Sequence, residues 1–547
     1  MSQPIPKPSS PNTLKHRGFK GALPLCGSGR IWSKVPRDGF VAWNGHRRER
    51  PALLACLGIL IAGLLCGAAP APDLLLLDRV TWGASTSSAA RLLAMGTEKW
   101  LDWQLHPTAA DVLPAAAQVQ IDALTISQRP MADLVVEMAA QNRAANQMQD
   151  PDQKQAAQRA YQQGMSDLAK QAAEREVLRD LYSPAQLQEQ MTWFWFNHFN
   201  VHQYKADIRP MLGDYEDRAL RPHALGHFRD LLTATAMHPA MLRYLDNSEN
   251  AAGHINENYA REIMELHTMG VGSGYTQQDV QELARILTGL GIDARPEPPR
   301  LPANLQGQLV RDGLFEFNPA RHDYGDKVFL GHQIKGSGLA EVAEALDILD
   351  RQPATALHLS RELAVFFMQD APPEPLVRRM AQTFQKTDGD IAAVLGTLFH
   401  APEFADSAGQ RFKDPVHFAL SAVRLAYDDK VVLNTAPVLG WLNRMAEGLY
   451  NHETPDGYPV GSASWNGPGQ MALRFEIARQ IGSGSSGLFR PDEPGSADHP
   501  AFPVLQNALY FNRLRDQLST TTRSALDQAT SPQDWNTLFL SSPEFMY

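Results

Sequence analysis

Along most of the chain the apolar residues return every three or four positions, the spacing of helices that bury one face. Over 87–105, Leu92, Leu93, Trp100, Leu101 and Leu105 fall on one side of such a helix. Residues 133–180 are rich in Ala, Gln, Glu and Lys, with sparse apolar positions. They predict long, solvated helices, a projecting arm broken near Asp150-Pro151-Asp152. Over 186–200, the run from Met191 to Phe199 sets aromatic rings on every side of the turn, so this helix is expected to be buried all round. Helical patterning continues over 217–236, 256–269 and 276–290. The main strand expectation is a hairpin in which Leu314-Phe315-Glu316-Phe317 and Val328-Phe329-Leu330 flank a turn. Helices resume from 339 to 427. Residues 450–469 read as a loop dense in Gly, Pro, Tyr and Trp, loops recur at 482–487 and 490–500, and helices close the chain. The expected fold class is mainly α: a multi-helix globular body with a small β-hairpin element and a projecting helical arm. Thr397 to Phe404 echoes Thr537 to Phe545, and in both Pro followed by Glu suits the first turn of a helix.

Composition changes this picture only at the N-terminus. A hydrophobic fraction of 44% and a charged fraction of 20% are those of an ordinary globular protein. The charge is uneven, however. Residues 1–71 hold ten Lys/Arg and two Asp/Glu, which leaves 40 basic and 58 acidic residues beyond them, a balance of −18. So acidic a body repels phosphate backbones, and nucleic acid is excluded as a partner. Cys26, Cys56 and Cys66 all precede residue 72, so the body has no disulfide, no thiolate metal site and no cysteine nucleophile. Arg47, Arg48 and Arg50 stand before an apolar run from Ala52 to Ala69 that ends in small residues. That order predicts a signal peptide over 47–71 and an exported protein, periplasmic or extracellular. Membrane attachment is then expected only through this segment, if it is left uncleaved. Residues 1–46, rich in Pro, Gly and basic residues, read as a disordered extension or as sequence upstream of the true start. Residues 72–547 read as a single helical domain.

The densest polar stretch is Asn247-Ser248-Glu249-Asn250, then His254, then Asn256 to His267, ended by Gly270. At about 100° per residue, Asn258, Glu262 and Glu265 share one helix face, with Ile263 and Leu266 towards another. Two carboxylates and an amide so placed suit a hard cation or an acid/base pair. The competing reading is a solubilising ladder: Glu257–Arg261 and Arg261–Glu265 are i,i+4 pairs of opposite charge, and Asn256 or Asn258 suits a cap. His198 and His202 have the spacing to ligate one metal if the helix persists through Val201. Equally, His198 sits in an aromatic wall as a core histidine would, with His202 beyond the helix end. Asp323 and Lys327 flank Gly325, where a turn role is the default. No His-Glu-x-x-His, Gly-x-Ser-x-Gly, Walker loop or dinucleotide fingerprint occurs.

Several motifs then follow in a fixed order. They are Asp78-Arg79-Val80-Thr81-Trp82-Gly83, Phe196-Asn197-His198-Phe199, the stretch from Asn256 to Gly270, and Gly274-Tyr275-Thr276-Gln277-Gln278-Asp279-Val280. Leu287-Thr288-Gly289, His322-Asp323-Tyr324-Gly325-Asp326-Lys327 and Pro455-Asp456-Gly457-Tyr458-Pro459 complete the set. From about residue 74 to the end, the chain resembles the bacterial "domain of unknown function 1800" family. The resemblance implies an exported, mainly helical unit in which Asn258, Glu262, Glu265, His267, His198 and Asp323 gather at one site. It also implies, by association, an exported partner resembling the alkaline phosphatase and sulfatase superfamily. Two readings of function follow. One is a metal-dependent hydrolase, since the cell exterior lacks diffusible nicotinamide or nucleotide. Its catalytic residues would be Glu262, Glu265, Arg261 and Asp323, and its divalent metal would be held by His198, Asn258, Glu262, Glu265 and His267. The other is a non-catalytic binding or assembly partner of the phosphatase-like protein, acting through the arm.

Overall fold

The computed structural model describes residues 72–108, 112–491 and 501–547. Residues 1–46, residues 47–71, where a signal peptide is expected, and most of the loop 490–500 lie outside the described residues. All described residues belong to one compact unit of the chain. That unit is mainly helical, as expected, with only a few short strands. Among the described residues no helix is long and apolar enough to cross a membrane.

Helix Pro72–Val80 opens the body and buries Leu74, Leu75, Leu76, Leu77 and Val80. The single helix expected over 87–105 is two. Gly96, at φ +78°, ends Thr86–Met95 and opens Thr97–Leu105, and a positive φ is readily adopted only without a Cβ. The arm breaks where expected. Met131–Gln147 is followed by Pro151–Tyr182, with the Asp150 side chain accepting from the Gln153 N–H and Pro151 at the first helical position. The two helices share a small apolar cluster of Leu134, Met138, Tyr161, Met165 and Leu168. The arm is not solvated throughout, however. From Leu168 onward its long helix enters the core, burying Val177, Leu178 and Leu181 together with Arg175, Glu176 and Asp180. These groups do not mark an exposed face: Arg175 meets Asp217, and Asp180 accepts the Trp82 indole N–H.

Helix Gln186–His198 is buried all round, as its aromatic pattern predicts. Trp193 stacks on Phe196 with centroids 6.4 Å apart, and Trp195 donates its indole N–H to the Ala224 carbonyl at 2.9 Å. The helix expected over 217–236 is interrupted. Tyr215–Leu220 is a π-helical turn and Arg221–His223 a 3₁₀ turn, after which Phe228–Met237 starts afresh. Pro222 supplies the reason, since it has no N–H to continue an α-helix.

Five short strands follow: β1 (Leu290–Ile292), β2 (Val310–Asp312), β3 (Phe315–Phe317), β4 (Lys327–Phe329) and β5 (His332–Ile334). The expected hairpin between β3 and β4 does not form. Phe317 of β3 pairs with Leu290 of β1 on one side and Val310 of β2 on the other, while β4 pairs with β5. The sequence concealed β2 and β5 because Val-Arg-Asp and His-Gln-Ile carry no apolar alternation. Behind β4 lies a sealed ionic centre. Glu341 accepts from His322 Nε2 at 2.9 Å, from Lys327 Nζ, and from the N–H groups of Ser337 (2.7 Å) and Gly338 (2.9 Å). The three side chains have no exposed surface.

Helix Leu339–Asp350 ends on a second buried acid. Asp350 is 3% exposed, no donor reaches its Oδ1, and the helix C-terminus disfavours a negative charge there. Burial, reinforced by the charge of Asp388, raises its carboxyl to about 7. In the unfolded chain this group titrates near 4. Between those values the unfolded chain releases a proton that the folded protein keeps, so stability falls as pH rises from about 4 to about 7. Asp350→Asn is expected to remove that loss. Its gain should be absent at pH 4 and reach about 4 kcal/mol at pH 8. Thermal melts at both pH values check this, and a gain independent of pH would contradict it.

Candidate functional site

The aromatic helix ends at His198, and the residues around its end grip a distant loop. Asn197 donates Nδ2 to the Tyr458 carbonyl at 2.9 Å and accepts the Tyr458 N–H at 2.6 Å. Asn200 donates to the carbonyls of His452 (3.1 Å) and Thr454 (2.8 Å). Gly457 lies so close that a Cβ there would stand 2.2 Å from the Asn197 carbonyl oxygen, and its φ is +68°. Residues 450–459 are thereby fixed against the helix end. His202 lies beyond the helix and faces the His452 carbonyl at 3.1 Å, so it supports this loop rather than pairing with His198.

Helix Asn258–Glu265 provides the other wall. Tyr259, Ala260, Ile263 and Met264 are buried, which turns Arg261, Glu262 and Glu265 outward. Arg261 reaches Glu257 and Glu265, each at 3.3 Å, and Gln277 at 2.8 Å. The Tyr275 hydroxyl also bonds Glu265. The charge ladder read from the sequence is therefore present for Glu257, Arg261 and Glu265. Asn256 accepts the N–H of Asn258, and the exposed Asn258 donates its amide to the Leu245 carbonyl at 3.2 Å.

Glu262 stands outside the ladder. Its carboxyl is half-buried and, among the described residues, takes part in no hydrogen bond or ion pair. Burial raises its pKa, the charges of Glu265 and Asp456 raise it further, and Arg261 opposes them only in part. Asp456 comes from the docked loop, where Thr454 Oγ1 donates to it at 2.5 Å and His452 Nε2 lies at 3.3 Å. Tyr244 donates to the Glu453 carbonyl at 2.8 Å, bonds Asn200, and has Asp456 and Glu262 as electrostatic neighbours. Glu262, Asp456 and Tyr244 are thus electrostatic neighbours where helix and loop meet, a junction called the notch below.

The other expected site residues lie in different groups. His198 Nδ1 meets Glu362 Oε2 at 2.8 Å and its Nε2 meets the His267 carbonyl at 3.1 Å. Both ring nitrogens face oxygen, leaving no ring lone pair directed at a cation. The His267 ring is sealed in the core 4.9 Å from Phe199, and burial holds its pKa well below the usual imidazole range. Asp323 binds Arg285 at 2.8 and 3.2 Å and accepts the Gly325 N–H at 2.8 Å, which is a turn role and not a place beside Glu262. Among the described residues no group of three or more His, Cys, Asp and Glu could hold a metal ion. The set His198, Asn258, Glu262, Glu265 and His267 is accordingly not gathered as ligands.

Sequence reasoning missed Asp456, Tyr244, Asn200, Glu362 and His358. His358 Nε2 lies 3.5 Å from Glu362 on helix Pro353–Phe367, an i,i+4 pair that the spacing rule applied to His198 and His202 would have found. Asp456 stood inside a quoted motif but had no nearby partner in the sequence to mark it.

No curated protein and no solved structure matches the chain. A family model described as "Protein of unknown function (DUF1800)" matches residues 75–547, which include every residue of the notch. The chain belongs to the DUF1800 family.

Proposed function

We propose that the protein is an exported hydrolase that works by carboxyl acid–base chemistry, with Glu262 as the proton donor. The observation that carries this reading is the state of Glu262: half-buried, unpaired, and raised in pKa by burial and by two neighbouring carboxylates. A carboxyl in that setting keeps its proton to higher pH and can give it to a leaving group. Asp456, across the notch, is the matching acceptor for the proton of an attacking water. Glu265 is tied to Arg261 and shapes the field without exchanging protons. With three carboxylates at its mouth, the notch favours a neutral or cationic substrate over an anionic one.

Glu262→Gln and Asp456→Asn keep size and shape while removing the exchangeable proton. Each is expected to lower turnover about 10²–10⁴-fold with an unchanged melting profile. The measurement is hydrolysis of a panel of neutral glycoside, ester and amide substrates by the wild type and both variants. Hydrolysis that persists unchanged in both variants, or its absence from the wild type across the panel, would overturn the proposal.

A further inference from the structure

We propose that the face carrying Phe502, Val504 and Phe511 docks on an anionic lipid bilayer, a membrane contact separate from the expected signal segment. Over 501–505 the extended chain alternates: Ala501, Pro503 and Leu505 are buried, while Phe502 and Val504 stand 67% and 61% exposed. A period of two puts these two side chains on one side of the chain. The segment is held in place, since the Val504 N–H donates to the Ala426 carbonyl at 3.1 Å. Asn507 ties Val504 to the next turn. Its amide donates to the Val504 carbonyl at 2.9 Å, and its own carbonyl accepts the Phe511 N–H at 3.1 Å. Phe511 is 56% exposed, with its ring centroid 5.1 Å from that of Tyr510. Exposed apolar residues scattered singly need no explanation, but three large ones on one short, anchored segment mark an interaction surface.

Two observations select a bilayer as the occupant. The first is charge. Residues 501–523 hold Arg513, Arg515 and Arg523 against Asp516 alone, a basic stretch in an acidic body. Arg513 is committed to Asp73. Among the described residues, Arg515 and Arg523 join no ion pair, and they outnumber Asp527 as the charges that act on the Tyr510 hydroxyl. Exposed rings with free arginines beside them are what an interfacial anchor presents: the rings enter the headgroup boundary and the guanidiniums meet the phosphates. The rest of the acidic body repels an anionic surface, so only this face can approach it. Screening beyond about 10 Å lets the local arginines prevail over distant carboxylates. The second observation is place. Asp73, the partner of Arg513, stands in the first turn of helix Pro72–Val80, four residues after Ala69, where the apolar run ends. Four residues reach at most about 14 Å. A bilayer that holds the run during export therefore lies within reach of the face that carries Arg513, and the patch keeps that contact once the segment is cut. The docking face stands whether or not Glu262 is a catalytic acid.

Hydrogen exchange on the full chain tests this, with vesicles of phosphatidylglycerol and phosphatidylcholine as the probe. Peptides covering 501–515 are expected to gain protection as lipid is added, while those of the aromatic helix stay unchanged. Arg515→Gln combined with Arg523→Gln should raise the lipid concentration for half-protection about thirtyfold, the loss expected for two arginines at an anionic surface. Phe502→Ser combined with Phe511→Ser should abolish the gain. Both rings are exposed, so this variant should melt as the wild type does. No gain on these vesicles, an equal gain in the phenylalanine variant, or an equal gain on phosphatidylcholine alone would each overturn the proposal. Protection of 501–515 that instead rises with protein concentration in the absence of lipid would overturn it in favour of an interface between two copies of the chain.

Discussion

Lys327→Met is expected to lower the free energy of unfolding by about 3–5 kcal/mol, the cost of breaking a buried ion pair from one side. Lys327 and Glu341 have no exposed side-chain surface. With the ammonium gone, the Glu341 carboxylate keeps His322 and two backbone N–H groups but loses its closest positive charge. Burial alone would push that carboxyl up; the hydrogen bonds from His322 and Lys327 outweigh burial and hold it below the usual range. Its contribution is therefore present at neutral pH and lost as pH falls through the lowered folded value. Adding Glu341→Gln to Lys327→Met should recover much of the loss, because glutamine still accepts from Ser337 and Gly338 without leaving a charge unpaired. Urea melts of the two variants decide the matter. A double variant no more stable than Lys327→Met would mean that the methionine simply fits badly.

Gly457→Ala should have the second large effect, and a local one. A Cβ at this position would meet the Asn197 carbonyl oxygen at 2.2 Å and the Asn197 side-chain oxygen at 2.8 Å. The first of these is backbone inside a buried helix and cannot swing away. The φ of +68° adds about 1–2 kcal/mol of dihedral strain for any residue with a Cβ. The loop must then lift, losing both Asn197–Tyr458 hydrogen bonds and carrying Asp456 away from Glu262. Limited proteolysis should cut within 450–459 far faster than in the wild type, with the far-ultraviolet helical signal intact. Wild-type resistance to the protease would show that Gly457 is not what seats the loop.

How much of this was legible in the sequence depended on distance along the chain. The aromatic helix was legible because rings on every side of one turn leave no face for water. The ladder of Glu257, Arg261 and Glu265 was legible because i,i+4 spacing is local, and it proved to be the structural part of the polar helix. Glu262 belonged to the same face, yet its distinction rests on what it lacks, namely a partner, and spacing cannot show that. Asp456 was out of reach, as was the bond of Glu362 to His198, because each meets its group across the fold, and periodicity carries no information about which loop returns to which helix. The base of the arm misled for another reason. Arg175 and Asp180 count as solvated residues in any pattern, and only the arrival of Asp217 and Trp82 makes their burial possible.

The grip of Asn197 and Asn200 on the loop also sets an order of events in time. The bond from Asn197 to Tyr458 joins residues 261 positions apart, and that from Asn200 to Thr454 joins residues 254 apart. Closing so long a loop is slow, and contacts of this kind form late in folding. A chain still emerging from a ribosome or a translocation channel would present Glu262 and its helix long before Asp456 arrives. Newly made protein thus stays without a finished notch until nearly all of the chain has been delivered.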